Sequence, residues 1–245
     1  MVEILRTENL SKRFGGLDAC SNIDFSLSEG TIQCIIGPNG AGKTTFISLL
    51  SGHQQQSEGS IWYKGIEISR MSIFERARQG IARKFQTPAL FDELTVYENI
   101  ELAVMGTGHP HRKRPVRITD VLEMIRLTDE FDTLAIQLPH GKRQWLEIGL
   151  LIANDAKILL LDEPTAGMTA EGTASTAKLI YDLTEELRLS TIIIEHDIKF
   201  IRDLHAPVTV FHMGKILVEG SFDEIARNDQ VLEVYLGNQS NDFER

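Results

Sequence analysis

The chain has 245 residues, of which 42% are hydrophobic and 24% are charged, and its formal net charge is −10 at pH 7. This length and composition suffice for one large domain, or one domain with an inserted subdomain, with a buried core, and no apolar run approaches the roughly 18 residues that span a bilayer. The acidic balance argues against nucleic acid as a partner, because contacts to a phosphate backbone require a basic surface.

The N-terminal segment and the cysteines support two further expectations. Residues 1–6 lack the basic start and apolar stretch of a secretory signal, so we expect a cytoplasmic protein. Cys20 and Cys34 are too few for a disulfide framework and lack the spacing of metal ligands. We expect both to be small buried side chains.

The first third of the chain predicts short strands and one glycine-rich loop. Segments rich in β-formers predict strands at 4–7, 23–27, 31–36 and 59–63, bounded by turn residues. The third strand leads directly into the glycine-rich loop. A helix is expected after it, from about residue 42 to residue 50.

The middle of the chain, approximately residues 87–155, predicts a mostly helical insertion. Apolar side chains recur at helical spacing over 98–104, 121–127 and 145–153. The Gly, Pro and basic stretch over 106–117 is expected to be an exposed loop. Its positive charge is either solvated or in contact with anionic headgroups or a membrane subunit, and both interpretations stay open.

The last third alternates strands with helices. Residues 157–161 and 191–195 are continuously apolar, which is typical of a parallel sheet covered on both faces. A helix over about 170–187 separates them, and two further strands are expected at 208–212 and 216–219. This order of elements predicts an α/β fold.

Eight residues between the third predicted strand and the first predicted helix fit the phosphate-loop pattern at every required position. Glycines fold such a loop into a nest of N–H groups that face phosphates, and the helix adds its positive end. Lys43 can reach the β- and γ-phosphates, and the Thr44 hydroxyl can ligate Mg²⁺. The predicted cofactors are therefore ATP and Mg²⁺. The eight residues are Gly37, Pro38, Asn39, Gly40, Ala41, Gly42, Lys43 and Thr44.

Polar residues follow two apolar strands at the edge where α/β sheets bind ligands. Asp162 can hold the Mg²⁺ shell, and Glu163 can polarise the attacking water. His196 follows the next strand and can contact the γ-phosphate, while Gln86 can bridge the metal ion and the water. The predicted catalytic residues are Glu163, His196 and Gln86, and the predicted metal ligands are Thr44, Gln86 and Asp162.

Over essentially its whole length, the chain resembles the ATPase subunits of ABC transporters. The motifs occur in the family's order, namely Phe14, Gly37 to Thr45, Gln86, Leu138 to Gln144, Asp162-Glu163 and His196. More narrowly, residues 141–149, 166–169 and 231–237 resemble the ATPases of urea and branched-chain amino acid importers. Trp145 followed by Leu-Glu-Ile-Gly, and the Glu-Val-Tyr-Leu-Gly ending, resemble the urea branch in particular.

This resemblance implies a P-loop NTPase fold with an antiparallel β subdomain, a mainly parallel core sheet and an inserted helical subdomain. Residues 1–245 would form one domain. Its catalytic core would comprise 1–86 and 156–245, and the helical subdomain, with the signature segment, would comprise about 87–155.

The resemblance also implies partners and a mechanism. Two ATPase subunits, alike or different, sandwich two ATP molecules head to tail, each between one phosphate loop and the other subunit's signature segment. Phe14 would stack on adenine, Thr45 would contact the α-phosphate, Glu163 would be the catalytic base and Gln86 would sense the membrane subunits. Closure on ATP would drive integral-membrane permease subunits, served by a solute-binding protein, from the cytoplasmic face of the inner membrane.

The signature segment departs from the family pattern Leu-Ser-Gly-Gly-Gln. Here it consists of Leu138, Pro139, His140, Gly141 and Lys142, so the serine hydroxyl that reaches the partner's γ-phosphate is lost. Proline is tolerated at the start of a helix, so the helix N-terminus is expected to survive. Loss of one donor can cost roughly 2.7–4 kcal/mol in the transition state, and Lys142 or His140 can offset part of this cost. Residues 164–169 also lack the aspartate that many cassettes use to couple their two sites.

Two interpretations of the altered signature stay open. In a heterodimer with unequal sites, this chain's Glu163 and a standard partner signature form the hydrolysing site, while the site using Pro139 and Lys142 is slower. Alternatively, the change is tolerated in a homodimer or in a fully active heterodimer.

Two other functional classes are also alternatives. A soluble ABC ATPase without a membrane partner is disfavoured by the single cassette and the acidic charge. A largely non-hydrolysing, ATP-bound partner is disfavoured by the intact Glu163 and His196.

Overall fold

A computed structural model of the chain describes residues 2–84, 90–107, 110 and 113–236. Within these residues, one sheet has four antiparallel strands. The strand that comes first in the chain lies between the other two long strands of this sheet, and the shortest strand lies at an edge. Its strands alternate buried and exposed side chains along much of their length, because one face covers the core and the other faces solvent. The strands are β1 (Glu3–Phe14), β2 (Leu17–Ser28), β4 (Glu58–Tyr63) and β5 (Ile66–Glu67).

The second sheet of the described chain has six strands, and five of them are parallel. They are β3 (Ile32–Ile36), β6 (Ile81–Arg83), β7 (Ile158–Asp162), β8 (Ser190–Ile194), β9 (Val208–His212) and the antiparallel β10 (Lys215–Gly220). Their order across the sheet is β10-β9-β3-β8-β7-β6. The phosphate loop and both predicted acids therefore lie at the carboxyl ends of neighbouring or nearly neighbouring strands.

The neighbouring strands β7 and β8 are buried along their whole length. Leu159 and Leu161 face a core cluster formed with helices, whereas Ile158 and Leu160 face a second cluster shared with the antiparallel sheet. A strand with a core on each face has no solvent side, which explains the continuous apolar runs in the sequence.

Helices cover both sheets and form most of the region between β6 and β7. They are α1 (Lys43–Leu50), α2 (Ile73–Arg78), α3 (Val96–Gly106), α4 (Arg114–Met124), α5 (His140–Ala153), α6 (Ala170–Leu187), α7 (Ile198–Asp203), α8 (Phe222–Ala226) and α9 (Asp229–Leu236). Within the ranges that the structure describes, none of these helices combines the length and the apolar character needed to cross a bilayer.

Local side chains fix the start of several helices. Thr95 and Glu98 form a capping box at α3, in which each side chain accepts a hydrogen bond from the other residue's backbone N–H. Thr169 caps α6 by accepting from Gly172 N at 3.2 Å. Caps of this kind satisfy donors that the first helical turn leaves unpaired.

The predicted loop over 106–117 is partly wrong. Arg114 to Arg117 belong to α4, with Pro115 in its first turn, where the missing proline N–H costs no helical hydrogen bond. Of the basic residues in this stretch, His109, His111 and Arg112 lie outside the described residues. The short elements α2, β6 and α7 carry too few residues to show a period, and the sequence did not predict them.

Candidate active site

The phosphate loop connects β3 to α1, and its backbone conformation requires glycine. Gly42 has a φ of 103°, and a Cβ built on it would lie 2.3 Å from the carbonyl oxygen of Ala19. Gly40 also has a positive φ, of 81°, but a Cβ there would meet nothing within 4 Å. The two glycines thus serve different needs: Gly40 serves conformation alone, and Gly42 serves both conformation and close packing.

Lys43 lies at the first position of α1 with its side chain folded into the loop. Its Nζ donates hydrogen bonds to the carbonyl oxygens of Gly37 at 2.6 Å and Pro38 at 3.1 Å. The pKa of Lys43 is lowered, because the effect of burial exceeds the opposite effect of the nearby charges of Glu163 and Asp162. The ammonium group is thus held at the loop by neutral acceptors and can exchange them for phosphate oxygens.

Asp162 ends β7 and is 3% exposed. Burial raises the pKa of Asp162, whereas the charge of Arg83 and a hydrogen bond from the Thr44 hydroxyl lower it in part. Arg83, at the end of β6, lies 3.5 Å from Asp162 Oδ2, an atom that accepts no well-aligned hydrogen bond from the described residues. The pair Thr44 and Asp162 therefore offers two oxygen ligands, one of them under-satisfied, of the type that Mg²⁺ prefers. These two residues fit the predicted metal site.

Glu163 and His196 approach each other from the ends of adjacent strands. Glu163 Oε1 lies 3.2 Å from His196 Nε2, and the side chains are 42% and 41% exposed, so solvent can reach both. Glu163 has a φ of 50°, and its N–H donates to Ile194 O at 2.9 Å. A left-handed conformation at a non-glycine residue is costly and often marks a functional position.

A buried carboxylate that the sequence analysis did not single out lies next to His196. Glu195 is 4% exposed; its Oε2 accepts from His196 N, and its Oε1 accepts from Thr165 N, both at 2.9 Å. The Thr165 hydroxyl also donates to Oε1. A charged residue at the end of an otherwise apolar strand is the sequence signal that would have indicated it.

A cleft of about 500 Å³ brings most of the predicted site together. Phe14 borders it and is 44% exposed, and Lys12 Nζ lies 4.8 Å from its ring centroid in a cation–π contact, so an exposed aromatic side chain lies at the cleft edge with the ammonium group over one face. Gln86 lies outside the described residues. The predicted residues that line the cleft are Phe14, Asn39, Gly40, Ala41, Gly42, Lys43, Thr44, Thr45, Glu163 and His196.

The signature segment lies apart from this cleft, at the start of α5. Pro139 is the N-cap, with no side-chain cap, and its carbonyl accepts the first helical bond from Arg143 N at 3.0 Å. The helix N-terminus therefore survives the proline, as predicted. Lys142 pairs with Glu130, and His140 Nε2 lies 2.9 Å from Ala166 O. Neither side chain is therefore free to replace the lost hydroxyl without giving up a contact within this chain.

A groove of about 450 Å³ lies between α3, α5 and the end of β6. Its wall includes Phe91, which is 60% exposed, and Leu102, which is 43% exposed. An ion pair of 3.1 Å between Lys84 Nζ and Glu147 Oε2 lies at the buried end of the groove, with both side chains 6% exposed. The groove thus combines exposed apolar surface with a link from the catalytic sheet to the signature helix.

Comparisons with known proteins agree with this arrangement. The family model described as ABC transporter matches residues 20–166. A protein of Archaeoglobus fulgidus, named as the probable branched-chain amino acid transport ATP-binding protein LivG, is 33% identical and aligns over 99% of each chain. The ADP conformation of the ATP-binding cassette MJ1267 gives a TM-score of 0.83 at 28% identity, covering 97% of this chain and 100% of that one.

A dimeric structure shares the fold as well. The cassette MJ0796, in a post-hydrolysis state bound to ADP and Pi, gives a TM-score of 0.77 at 24% identity. The match covers 89% of this chain and 99% of that chain. The antiparallel sheet, the mainly parallel sheet and the helices are therefore arranged as in known cassettes.

Proposed function

Because the chain belongs to the ABC transporter family and is an ATP hydrolase of that family, we propose that it is the ATPase subunit of a solute importer. One observation carries the proposal. The cleft that contains the phosphate loop also receives Glu163 and His196 from the ends of two other strands. The groups that bind phosphates and the groups that can act on water thus share one cavity.

In the proposed reaction, the loop holds the phosphates of ATP in its nest of N–H groups. Lys43 exchanges the carbonyls of Gly37 and Pro38 for β- and γ-phosphate oxygens. Phe14 stacks on adenine and Thr45 contacts the α-phosphate. Glu163 accepts the proton of the attacking water, and His196, at hydrogen-bonding distance from Glu163, holds that water against the γ-phosphate.

Thr44 and Asp162 would hold Mg²⁺, with Gln86 as a further proposed ligand. When bound, the ion would supply positive charge to offset the charge that develops on the phosphate oxygens. Arg83 supports this role, since its contact with Asp162 favours the ionised carboxylate that a cation requires.

Cassettes of this family dimerise and work with membrane permease subunits. We place this chain at the cytoplasmic face of the inner membrane, where it docks peripherally through the groove lined by Phe91 and Leu102. Lys84 lies at the buried end of this groove and is two positions before Gln86 in the sequence. A permease subunit that docks in this groove would therefore contact the chain only a few residues from the proposed catalytic glutamine.

The dimer is proposed to be a heterodimer with unequal sites. The structure supports this proposal because His140 and Lys142 are engaged with Ala166 and Glu130, so neither compensates for Pro139 without cost. The site that uses this chain's signature is the slower one. The site that uses this chain's phosphate loop, Glu163 and His196 hydrolyses ATP against a standard partner signature.

The solute is proposed to be urea or a branched-chain amino acid, delivered by a solute-binding protein. A relative named for branched-chain amino acid transport supports this importer class at 33% identity. The Trp145 segment and the Glu-Val-Tyr-Leu-Gly ending support urea by resemblance. Solute-dependent ATP turnover in reconstituted vesicles separates the two.

The function is tested in the complex of this chain with a second cassette and the membrane subunits. Lys43→Ala should abolish ATP binding at this chain's loop, and Glu163→Gln should retain binding but lose turnover there. A Glu163→Gln complex that turns over ATP at the wild-type rate would contradict the proposed role of this site.

A further inference from the structure

The loop between β7 and α6, residues 164–169, contacts both the catalytic cleft and the signature helix. On one side, Glu195 accepts two hydrogen bonds from Thr165 and one from the backbone of His196. Glu195 is buried, and these hydrogen bonds connect it to the loop after β7 and to the residue that follows it after β8. Its carboxylate therefore fixes Thr165 and His196 relative to each other.

On the other side, the loop contacts His140. The Nε2 atom of His140 lies 2.9 Å from the carbonyl oxygen of Ala166. A carbonyl only accepts hydrogen bonds, so Nε2 carries the proton and donates. The amide nitrogen of Gln144, at 3.4 Å from the same Nε2, is the longer contact. The position of His140 is glycine in the family pattern, so the imidazole adds a contact that glycine lacks.

A second link joins the same loop to the same helix indirectly, through Thr176 of α6. Trp145 Nε1 donates to the hydroxyl of Thr176 at 2.9 Å, and that hydroxyl donates to Met168 Sδ at 3.3 Å. Gly167 lies between Ala166 and Met168, with a φ of 76°, and a Cβ built on it would lie 3.6 Å from His140 Nε2. The loop is thus attached to α5 on both sides of Gly167.

We propose that Glu195 and His140 are positioning residues that connect this chain's own hydrolytic site to the signature segment it presents to its partner. The inference rests on the dimeric function proposed above. The links run from His196 through Glu195 to Thr165, and from Ala166 to His140. They join the two ATP sites in a chain whose loop lacks the usual coupling aspartate and whose signature lacks the usual serine.

This arrangement makes a specific prediction about His140. A signature residue that acts only on the partner's ATP affects only the partner's site. A residue that also holds the loop behind Glu163 affects turnover at this chain's own site. His140→Ala should therefore lower turnover at the Glu163 site by at least about fivefold, with ATP KM unchanged.

The experiment uses the complete complex and compares each variant with and without Glu163→Gln, so that the difference reports this chain's own site. His140→Gln, whose amide can still donate to Ala166 O, should restore most of the turnover that His140→Ala loses. Glu195→Gln should also lower turnover. The turnover of the His140→Ala/Glu195→Gln double variant should be no lower than that of the less active single variant. Lys178→Ala, an exposed change on α6 away from the cleft and the signature segment, is the matched control and should leave turnover unchanged.

Three outcomes overturn the inference. In one, His140→Ala lowers only the turnover that persists in the Glu163→Gln background, so that His140 serves the partner's site alone. In another, His140→Gln behaves like His140→Ala, which would show that the donated hydrogen bond is irrelevant. In the third, Glu163→Gln itself changes nothing, which overturns the proposed function and this inference together; the first two outcomes leave the proposed function intact.

Discussion

The Nε2 atom of His196 lies 3.2 Å from Oε1 of Glu163, although 33 positions separate the two residues in the chain. They meet because β7 and β8 are parallel neighbours, with Asp162 paired to Ile194 in register. Replacing His196 with alanine should lower kcat by about 10²-fold or more, since positioned proton-transfer groups contribute on that scale. ATP binding should be retained, because Lys43 and the loop amides are unchanged.

The control for His196→Ala is His205→Asn. His205 is exposed, lies outside the cleft and has a φ of 49°, a conformation that asparagine tolerates. Steady-state ATPase assays of the complex compare the two variants. Equal losses of kcat in both would argue against a direct role for His196.

Gly42 and Gly40 provide a matched pair for the packing of the phosphate loop. Gly42→Ala should destabilise the fold strongly and abolish ATP binding, because its Cβ would collide with the Ala19 carbonyl at 2.3 Å. Gly40→Ala has open space around the new Cβ, so it should cost only the strain of a positive φ, about 1 kcal/mol. Urea unfolding measures both changes, and similar losses of unfolding free energy would contradict this account.

Arg76 stabilises the end of the helix that begins at the phosphate loop. Its guanidinium is fully buried and donates to the carbonyls of Leu49 at 2.6 Å and Leu50 at 3.0 Å, in the last turn of α1, and to Ser69 at 3.1 Å. Burial lowers the pKa of Arg76 to about 10, so the guanidinium stays charged at neutral pH. Its positive charge therefore interacts favourably with the negative C-terminal end of α1.

Arg76→Ala should reduce the unfolding free energy by more than about 3 kcal/mol, since each carbonyl left unpaired costs about 1–3 kcal/mol. Arg78→Ala, an exposed change in the same last turn of α2, should stay within about 0.5 kcal/mol of wild type. Chemical denaturation measures both. An Arg76→Ala protein as stable as Arg78→Ala would show that these carbonyl contacts contribute little.

Cys20 and Cys34 are buried, and burial raises the pKa of each thiol to about 12. Alkylation needs the thiolate, whose population stays negligible until the pH approaches that raised value. At pH 8 the native protein should therefore resist iodoacetamide, while the urea-unfolded chain reacts quickly. ATP should slow native labelling further by favouring the closed fold. Rapid native labelling of either thiol would contradict the burial described here.

The sequence predicts the elements of the site whose signals are local. The phosphate loop lies between β3 and α1, Asp162 and Glu163 follow a continuously apolar strand, and α6 has the predicted bounds, 170–187. In each case the pattern that forms the element also places the functional residue. The roles of these residues stay predictions until the variants are measured.

The contacts between distant segments could not be predicted. The charge of Glu195 at a strand end can mark the residue but not its contact with Thr165, and Arg83 belongs to a strand of three residues that shows no period. The contact of His140 with Ala166 depends on the left-handed turn at Gly167, which no local pattern reveals. The start of α4 at Arg114 was missed because proline in a first helical turn resembles a loop signal.

In the proposed dimer, this chain's phosphate loop, Glu163 and His196 form the hydrolysing site, while its Pro139 signature leaves the other site slower. The most direct measurement compares ATP turnover of the complete complex carrying Glu163→Gln in this chain with that of a complex carrying the matching change in the second cassette. Because loss of one transition-state donor costs about 10²–10³-fold in rate, we expect only the Glu163→Gln complex to lose nearly all turnover. Equal losses in the two complexes would contradict this expectation.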